Sequence, residues 1–347
     1  MKAVPIVLLA ALLAALSATP ALATTWQETR ITGPEAWAST PAVWGDTVYW
    51  VDARSRLSGY YEIRAWDPLV GERVVRQVPR STMIEGLYED TVMYQKAFAD
   101  HNELCLWDPV AGERSIASTT SGWYVADIWG DTVVWEDYRS GIGQIYMWDP
   151  VNGERPVSPS SYAQRNPSIH GDTIVWDDAR YDTEYDHQNR VIVSWEPTNG
   201  ERILGSGYDP AVWGDRFVFW FSDYEDDEDT IAGPSSGLYE WTSQSGRRRL
   251  ADDSQLPGHG GLEAWGDLVA FSGGATVACL DASGQVSQVS QTQGSNPAYR
   301  VSLHDSSIVW ALDGAAYLGT PVPEPSSLLA LGGLSLLLGS LRRRKGE

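Results

Sequence analysis

The chain has 347 residues, 46 acidic against 25 basic side chains, a formal net charge of −21 and 17 tryptophans. Such aromatic content excludes a disordered chain, and the acidic balance excludes a basic nucleic-acid binder. With 43% hydrophobic residues the length is ample for a sizeable core, in one large domain or two.

Residues 1–23 read as a signal peptide. Lys2 precedes an apolar block from Ile6 to Leu16, and small residues close the segment at Ala21-Leu22-Ala23, so the mature chain is expected to begin near Thr24. The block is shorter than the ~20 residues a spanning helix needs.

From there to residue 320 the chain repeats. A Gly-Asp pair followed by an apolar run occurs at Gly45-Asp46, Gly130-Asp131 and Gly171-Asp172, with Glu89-Asp90 in the same role and weaker copies at Asp215, Asp267 and Ser306. Four residues after each anchor stands an aromatic: Trp50, Tyr94, Trp135, Trp176, Phe219, Phe271 and Trp310. At 11% aromatic content, chance supplies less than one of these seven. A second block runs in phase, from Trp66-Asp67-Pro68 to Gly71-Glu72-Arg73, again over Trp107 to Arg114, Trp148 to Arg155 and Trp195 to Arg202, and decays afterwards. The anchors are 44, 41, 41, 43, 52 and 39 residues apart, close to the ~40 to 45 of a four-stranded propeller blade.

Strands such as Pro41 to Trp44, Thr132 to Trp135, Ile145 to Trp148 and Glu154 to Val157 are expected within a unit. The second is apolar on consecutive residues, which suits a strand covered on both faces. The seventh unit stops before a fourth strand. Glu28-Thr29-Arg30-Ile31 mimics the missing one, because Arg30 precedes Asp46 by 16 residues where Arg73, Arg114 and Arg155 precede their anchors by 17. The expectation is an all-β, seven-bladed β-propeller closed by the N-terminal strand. Glu136-Asp137-Tyr138-Arg139-Ser140-Gly141 followed by Gln144 to Asp149 resembles the TolB-like propeller repeat of bacterial envelope proteins. Six-bladed rings are usual in that family; seven anchors stand here.

With four antiparallel strands per blade, the Gly-Asp and Asp-Pro turns share one face of the disc. The variable connections, including Asp52 to Tyr60 and Asp178 to Arg190, share the other, where binding is expected. On that face Asp52 and Arg54, Asp137 and Arg139, and Asp178 and Arg180 recur at the same two positions of three blades. They are a candidate polar ring for an anionic or hydroxylated ligand; the alternative is a structural ion pair between neighbouring blades. Asp182, Glu184 and Asp186, and the run Asp223 to Asp229, are oxygen-rich, but neither follows an EF-hand pattern, so solvated loops and no metal are expected. His101, His170, His187, His259 and His304 lack metal-ligand spacing, and His170 and His304 stand where other repeats put Trp44, Trp129 or Trp213, which points to packing. A bridge between Cys105 and Cys279 is not expected. No nucleophile elbow, phosphate loop, zinc signature or dinucleotide fingerprint is present, and no cofactor is expected.

The C-terminus carries Val322-Pro323-Glu324-Pro325, an uncharged stretch from Ser326 to Leu341 and then Arg342, Arg343, Arg344 and Lys345. As a helix those sixteen residues reach only ~24 Å, so the arginines must snorkel, and the cations should hold the tail cytoplasmic. The three parts in order resemble the PEP-CTERM sorting signal of Gram-negative bacteria, read by an exosortase. The resemblance implies a transmembrane sorting intermediate, processing near Pro323 to Pro325 and delivery to the cell surface or an extracellular polysaccharide matrix. The expected function is therefore a non-catalytic exported scaffold that binds a polysaccharide or an envelope protein. A carbohydrate-active hydrolase or lyase with two acidic side chains in the central funnel is the alternative.

Overall fold

The structure is a computed structural model that describes residues 25–322, apart from 56, 58, 121–124, 182–189, 222–235 and 295–299. The signal segment, Pro323 to Arg344, His187 and both acidic loops therefore lie outside the described residues.

Seven sheets of four antiparallel strands are arranged as blades. Blade 1 comprises Ala38–Trp44, Thr47–Asp52, Tyr60–Trp66 and Arg73–Pro79, and blade 3 comprises Ala126–Trp129, Thr132–Asp137, Gln144–Asp149 and Gly153–Pro156. The inner strands of blades 2, 4, 5 and 6 are Thr82–Tyr88, Gln164–His170, Tyr208–Trp213 and Leu262–Trp265. Each inner strand passes to the second through two residues, as Trp44 pairs with Thr47 across Gly45-Asp46. The first of these has positive φ, +57° at Gly45, which is why glycine recurs there; blades 2 and 7 place Glu89 (+51°) and Asp305 (+52°) in the same conformation. In the outer turn of blade 1, Asp67 accepts from the Leu69 and Val70 amides at 3.0 and 2.8 Å, and Asp108 and Asp149 repeat this in blades 2 and 3.

Closure follows the sequence expectation. Blade 7 takes Val301–His304, Ser307–Leu312 and Ala315–Pro321 from the end of the chain and Trp26–Arg30 from its beginning, with Trp26 opposite Pro321 and Arg30 opposite Tyr317. The closing strand is also stitched to its neighbour, since Trp26 Nε1 donates to Ser287 Oγ at 3.0 Å and Glu28 accepts from the Gln291 and Thr292 amides.

The core consists of seven apolar clusters, one at each blade-to-blade interface. The seven repeating aromatics are its centre: Trp50, Tyr94, Trp135, Trp176, Phe219, Phe271 and Trp310 are all fully buried. Each such ring removes a large apolar area from water, which makes burial between blades the main term holding the disc together. Cys105 and Cys279 are buried free thiols in blades 2 and 6.

Candidate functional site in the axial funnel

The inner strands line the axis, and their last residues converge. Trp44, Tyr88, Trp129, His170, Trp213, Trp265 and His304, one from each blade, stand in an unbroken ring with neighbouring centroids 3.9 to 5.2 Å apart. Trp44 and Trp129 also meet across the axis at 6.2 Å. This plug fills the channel at the face that carries the Gly-Asp turns. The two histidines pack, as expected, and also latch blades: His304 Nδ1 accepts from the Gly45 amide at 3.0 Å and His170 Nδ1 from the Gly214 amide at 3.1 Å. Burial holds the pKa of both rings below the usual histidine value, consistent with a neutral Nδ1 acceptor.

Two residues before each plug residue, the side chain again faces the axis. Five blades place a small residue there, Ala42, Gly86, Ser168, Ala211 and Ser302, whereas blade 3 places Asp127 and blade 6 places Glu263. Ser302 Oγ accepts from the Val43 amide at 3.2 Å and Asp127 Oδ2 from the Ile169 amide at 2.8 Å, so this layer satisfies donors on the next blade's inner strand. Asp127 Oδ1 also accepts from the Ile128 amide at 2.7 Å. The Glu263 carboxyl group, unlike its backbone, forms no hydrogen bond to any described residue. Arg300, at the entrance of blade 7, donates to Ile84 O at 2.8 Å and to Glu85 Oε2 at 2.7 Å, and Gln95 Nε2 donates to the other oxygen of Glu85.

Three carboxyl groups thus face one guanidinium on the channel floor. Desolvation raises the pKa of Glu85 and Asp127 in spite of their partners. Glu263 is pushed up to about 8, by enclosure in the channel first and by the charge of Asp127 second. Its side chain is open to solvent that enters the funnel yet surrounded by protein, so the cause is the channel wall rather than a packed core. The floor thus offers Glu263, whose raised pKa favours the protonated, donating form, Asp127, which accepts from two backbone amides, and the Arg300 guanidinium.

Between floor and plug is a chamber of about 80 Å³, room for a few waters. Above the floor the channel widens to a mouth of about 660 Å³ on the face of the variable loops. A second polar group stands at this mouth. Asn166 Nδ2 donates to Asp177 Oδ2 at 2.8 Å and to Asp209 Oδ1 at 2.5 Å, while Arg190 pairs with Asp177 at 3.0 Å. Burial and the neighbouring Asp177 lift Asp209 to about 6.

The Asp-x-Arg pairs are not ion pairs between neighbouring blades. Asp52, Asp137 and Asp178 are buried, and each accepts from the indole of its own second strand, Trp50, Trp135 or Trp176, and from Arg54, Arg139 or Arg180 two residues on. Each arginine continues to the glutamate of its own blade's Gly-Glu-Arg turn, Glu72, Glu154 or Glu201. The ion pairs therefore close within a blade, not between blades, because the arginine folds back over its own sheet. Burial works against the Asp52 and Asp137 charges, but these hydrogen bonds outweigh it and keep both below the usual carboxylate range. Only the arginines, 20 to 38% exposed, remain open to a ligand.

The funnel-floor residues were not singled out from the sequence. The signal that finds them is the exception at a repeat position: Asp127 and Glu263 stand where the other five blades are small and uncharged. Among the described residues no cluster of three or more His, Cys, Asp or Glu side chains could hold a metal ion, and no helix is long and apolar enough to cross a membrane.

A closed ring of seven blades plugged at one face and open at the other defines the class as a seven-bladed β-propeller. Its C-terminus carries the PEP-CTERM protein-sorting motif, matched over residues 321–345, which implies export in a Gram-negative bacterium, a membrane-anchored sorting intermediate and recognition by an exosortase. No curated protein matches the chain. Among solved structures it is similar to oligogalacturonate lyase from Vibrio parahaemolyticus, with TM-score 0.59, 12% identity and coverage of 87% of this chain and 98% of that one. Virginiamycin B lyase from Staphylococcus aureus gives TM-score 0.56 at 10% identity, covering 86% and 99%. The propeller domain of the Trilobed protease from Pyrococcus furiosus gives 0.58 at 14%, covering 79% and 90%; that domain is described as having an open velcro topology, whereas the present ring is closed by its N-terminal strand. At these identities the likeness is one of fold.

Proposed function

We propose that the mature chain is a non-catalytic exported binding protein that takes a hydroxyl-rich ligand, the end or a branch of a matrix polysaccharide, into the funnel on the variable-loop face. The observation that carries this reading is the floor itself: Glu263 as donor, Asp127 as acceptor and Arg300 beside them, at the base of an opening of about 660 Å³. A hydroxyl both donates and accepts, so such a floor matches it better than it matches an apolar group. The exposed edges of Arg54, Arg139 and Arg180 serve as an outer rim for the same polymer. Glycan-array or matrix pull-down experiments with the mature chain should show binding that Glu263→Gln and Asp127→Asn each weaken about tenfold or more. Equal binding by both variants would remove the funnel from the reading.

One observation favours the alternative of a hydrolase or lyase. Asp127 and Glu263 oppose each other across the axis, only Glu85 of the three floor carboxyls is paired with arginine, and Glu263 keeps a proton at neutral pH as a general acid must. New reducing or unsaturated ends released from a bound glycan, and abolished by both substitutions, would replace the binding reading with this one.

A further inference from the structure

The face of the disc that carries the plug is not symmetric. Its outer turns in blades 1 to 3 end in bare apolar side chains: Leu69 is 94% exposed, Val70 71%, Val110 95% and Val151 87%. The equivalent turns of blades 4 to 6 read Thr198-Asn199, Ser243-Gln244-Ser245 and Ala282-Ser283. In blade 7 the place of this turn is taken by the two chain ends, where the Val322 amide donates to Thr25 O at 2.7 Å. Strand direction requires it, since Ala315–Pro321 is a third strand and runs toward the turn face. The chain therefore leaves blade 7 at the level of the apolar tips, and the four blades 7, 1, 2 and 3 are consecutive around the ring.

The length of chain beyond this point fixes what lies opposite. Four residues, 322–325, separate the last strand from the uncharged stretch that begins at Ser326, a tether of at most ~14 Å. A membrane-anchored sorting intermediate must then hold the turn face, not the loop face, next to the bilayer. The tips are also suited to losing water. Asp67, Asp108 and Asp149 already satisfy the tip amides, and Arg73 and Arg155 neutralise Asp67 and Asp149. Arg114 instead lies over the Trp148 ring of the next blade at 4.9 Å. An exposed apolar set this regular on one arc of a disc is a contact surface.

We propose that Leu69, Val70, Val110 and Val151 rest in the interface of the phospholipid bilayer that the chain's own sorting tail enters, tilting the disc on blades 7 to 3 and holding the funnel away from the membrane. This orientation does not depend on what the funnel binds.

The test uses the full chain with its tail uncleaved, reconstituted in vesicles of phosphatidylcholine and phosphatidylglycerol at 3:1. An environment-sensitive fluorophore is attached at Val110→Cys in blade 2 and, on the opposite face of the neighbouring blade 3, at Ile142→Cys. The native thiols do not compete, because Cys105 and Cys279 are buried and burial raises their pKa to about 11 and about 12. Doxyl-labelled lipid should quench the probe at 110 at least threefold more than the probe at 142, and Leu69→Cys should behave like Val110→Cys. Equal quenching at both faces, or stronger quenching at 142, would overturn the proposal. So would a blue shift at 110 that tracks protein-to-lipid ratio without doxyl quenching, since that places a second copy of the chain on the tips.

Discussion

The two ends of the axial channel are built from the same seven inner strands, two residues apart, and hold opposite chemistry. At the turn face seven aromatic rings touch in a closed circle; at the loop face acids and one arginine border open space. The difference teaches how a repeat scaffold separates stability from recognition. A side chain in the plug meets rings from its neighbours on both sides, so its position is over-determined. On the floor Asp127 and Glu85 are held by backbone amides and by Arg300, whereas the Glu263 carboxyl group meets only the open channel. The plug also makes the channel a cup rather than a tube.

Breaking the plug should have the largest effect. Trp129 touches Trp44, Tyr88, His170, Trp213 and Trp265, and Trp129→Ala is expected to cost about 3 kcal/mol in urea unfolding; wild-type stability in this variant would show that the ring merely fills space. On the floor, Arg300→Met leaves the buried Glu85 carboxylate without its cation. A loss of about 2 kcal/mol is expected at pH 8, shrinking toward pH 5 as Glu85 takes a proton, and a loss independent of pH would contradict the pairing.

Smaller effects sharpen the contrast, because the two ends titrate with opposite sign. His170 and His304 have pKa values held below 6.5 in the fold, so their contribution is present above pH 6.5 and is lost as pH falls through the folded values. Replacing His304 with Ala removes the acceptor for the Gly45 amide; it should cost about 1 kcal/mol at pH 8 and less at pH 5, read from paired melts. Glu263 is raised from 4.5 to about 8, so its contribution is complete at pH 4 and is lost as pH rises through 8. Glu263→Gln should therefore be neutral at pH 4 and gain less than about 1 kcal/mol at pH 9, because solvent in the funnel screens the charge. A gain at pH 4 would assign the effect to packing instead.

Much of this architecture was legible in the chain. The aromatic four residues after each anchor marked every second strand, since a strand between two blades must be apolar on both faces, and Glu28-Thr29-Arg30-Ile31 marked the closing strand by its phase alone. The Asp-x-Arg pairs were legible as a repeat but not as a staple, because Glu72 is 18 residues from Arg54 and belongs to a different motif. Asp127 and Glu263 lie 136 positions apart and meet only across the axis, where no local spacing reports on them. His170 and His304 could be placed in the plug by alignment, yet their bonds to the glycine of the next blade required the ring to be closed.

Sewing the first strand to the last sets an order of events. Trp26 emerges from the secretory machinery almost 300 residues before Pro321, its partner, so through most of export the N-terminal strand waits with its edge bare. The final sheet can form only when the last blade has crossed, and the sorting tail is the next segment to arrive. Ring completion and arrival of the sorting tail therefore fall together at the end of export, so the strand that closes the disc and the segment an exosortase recognises become available one after the other.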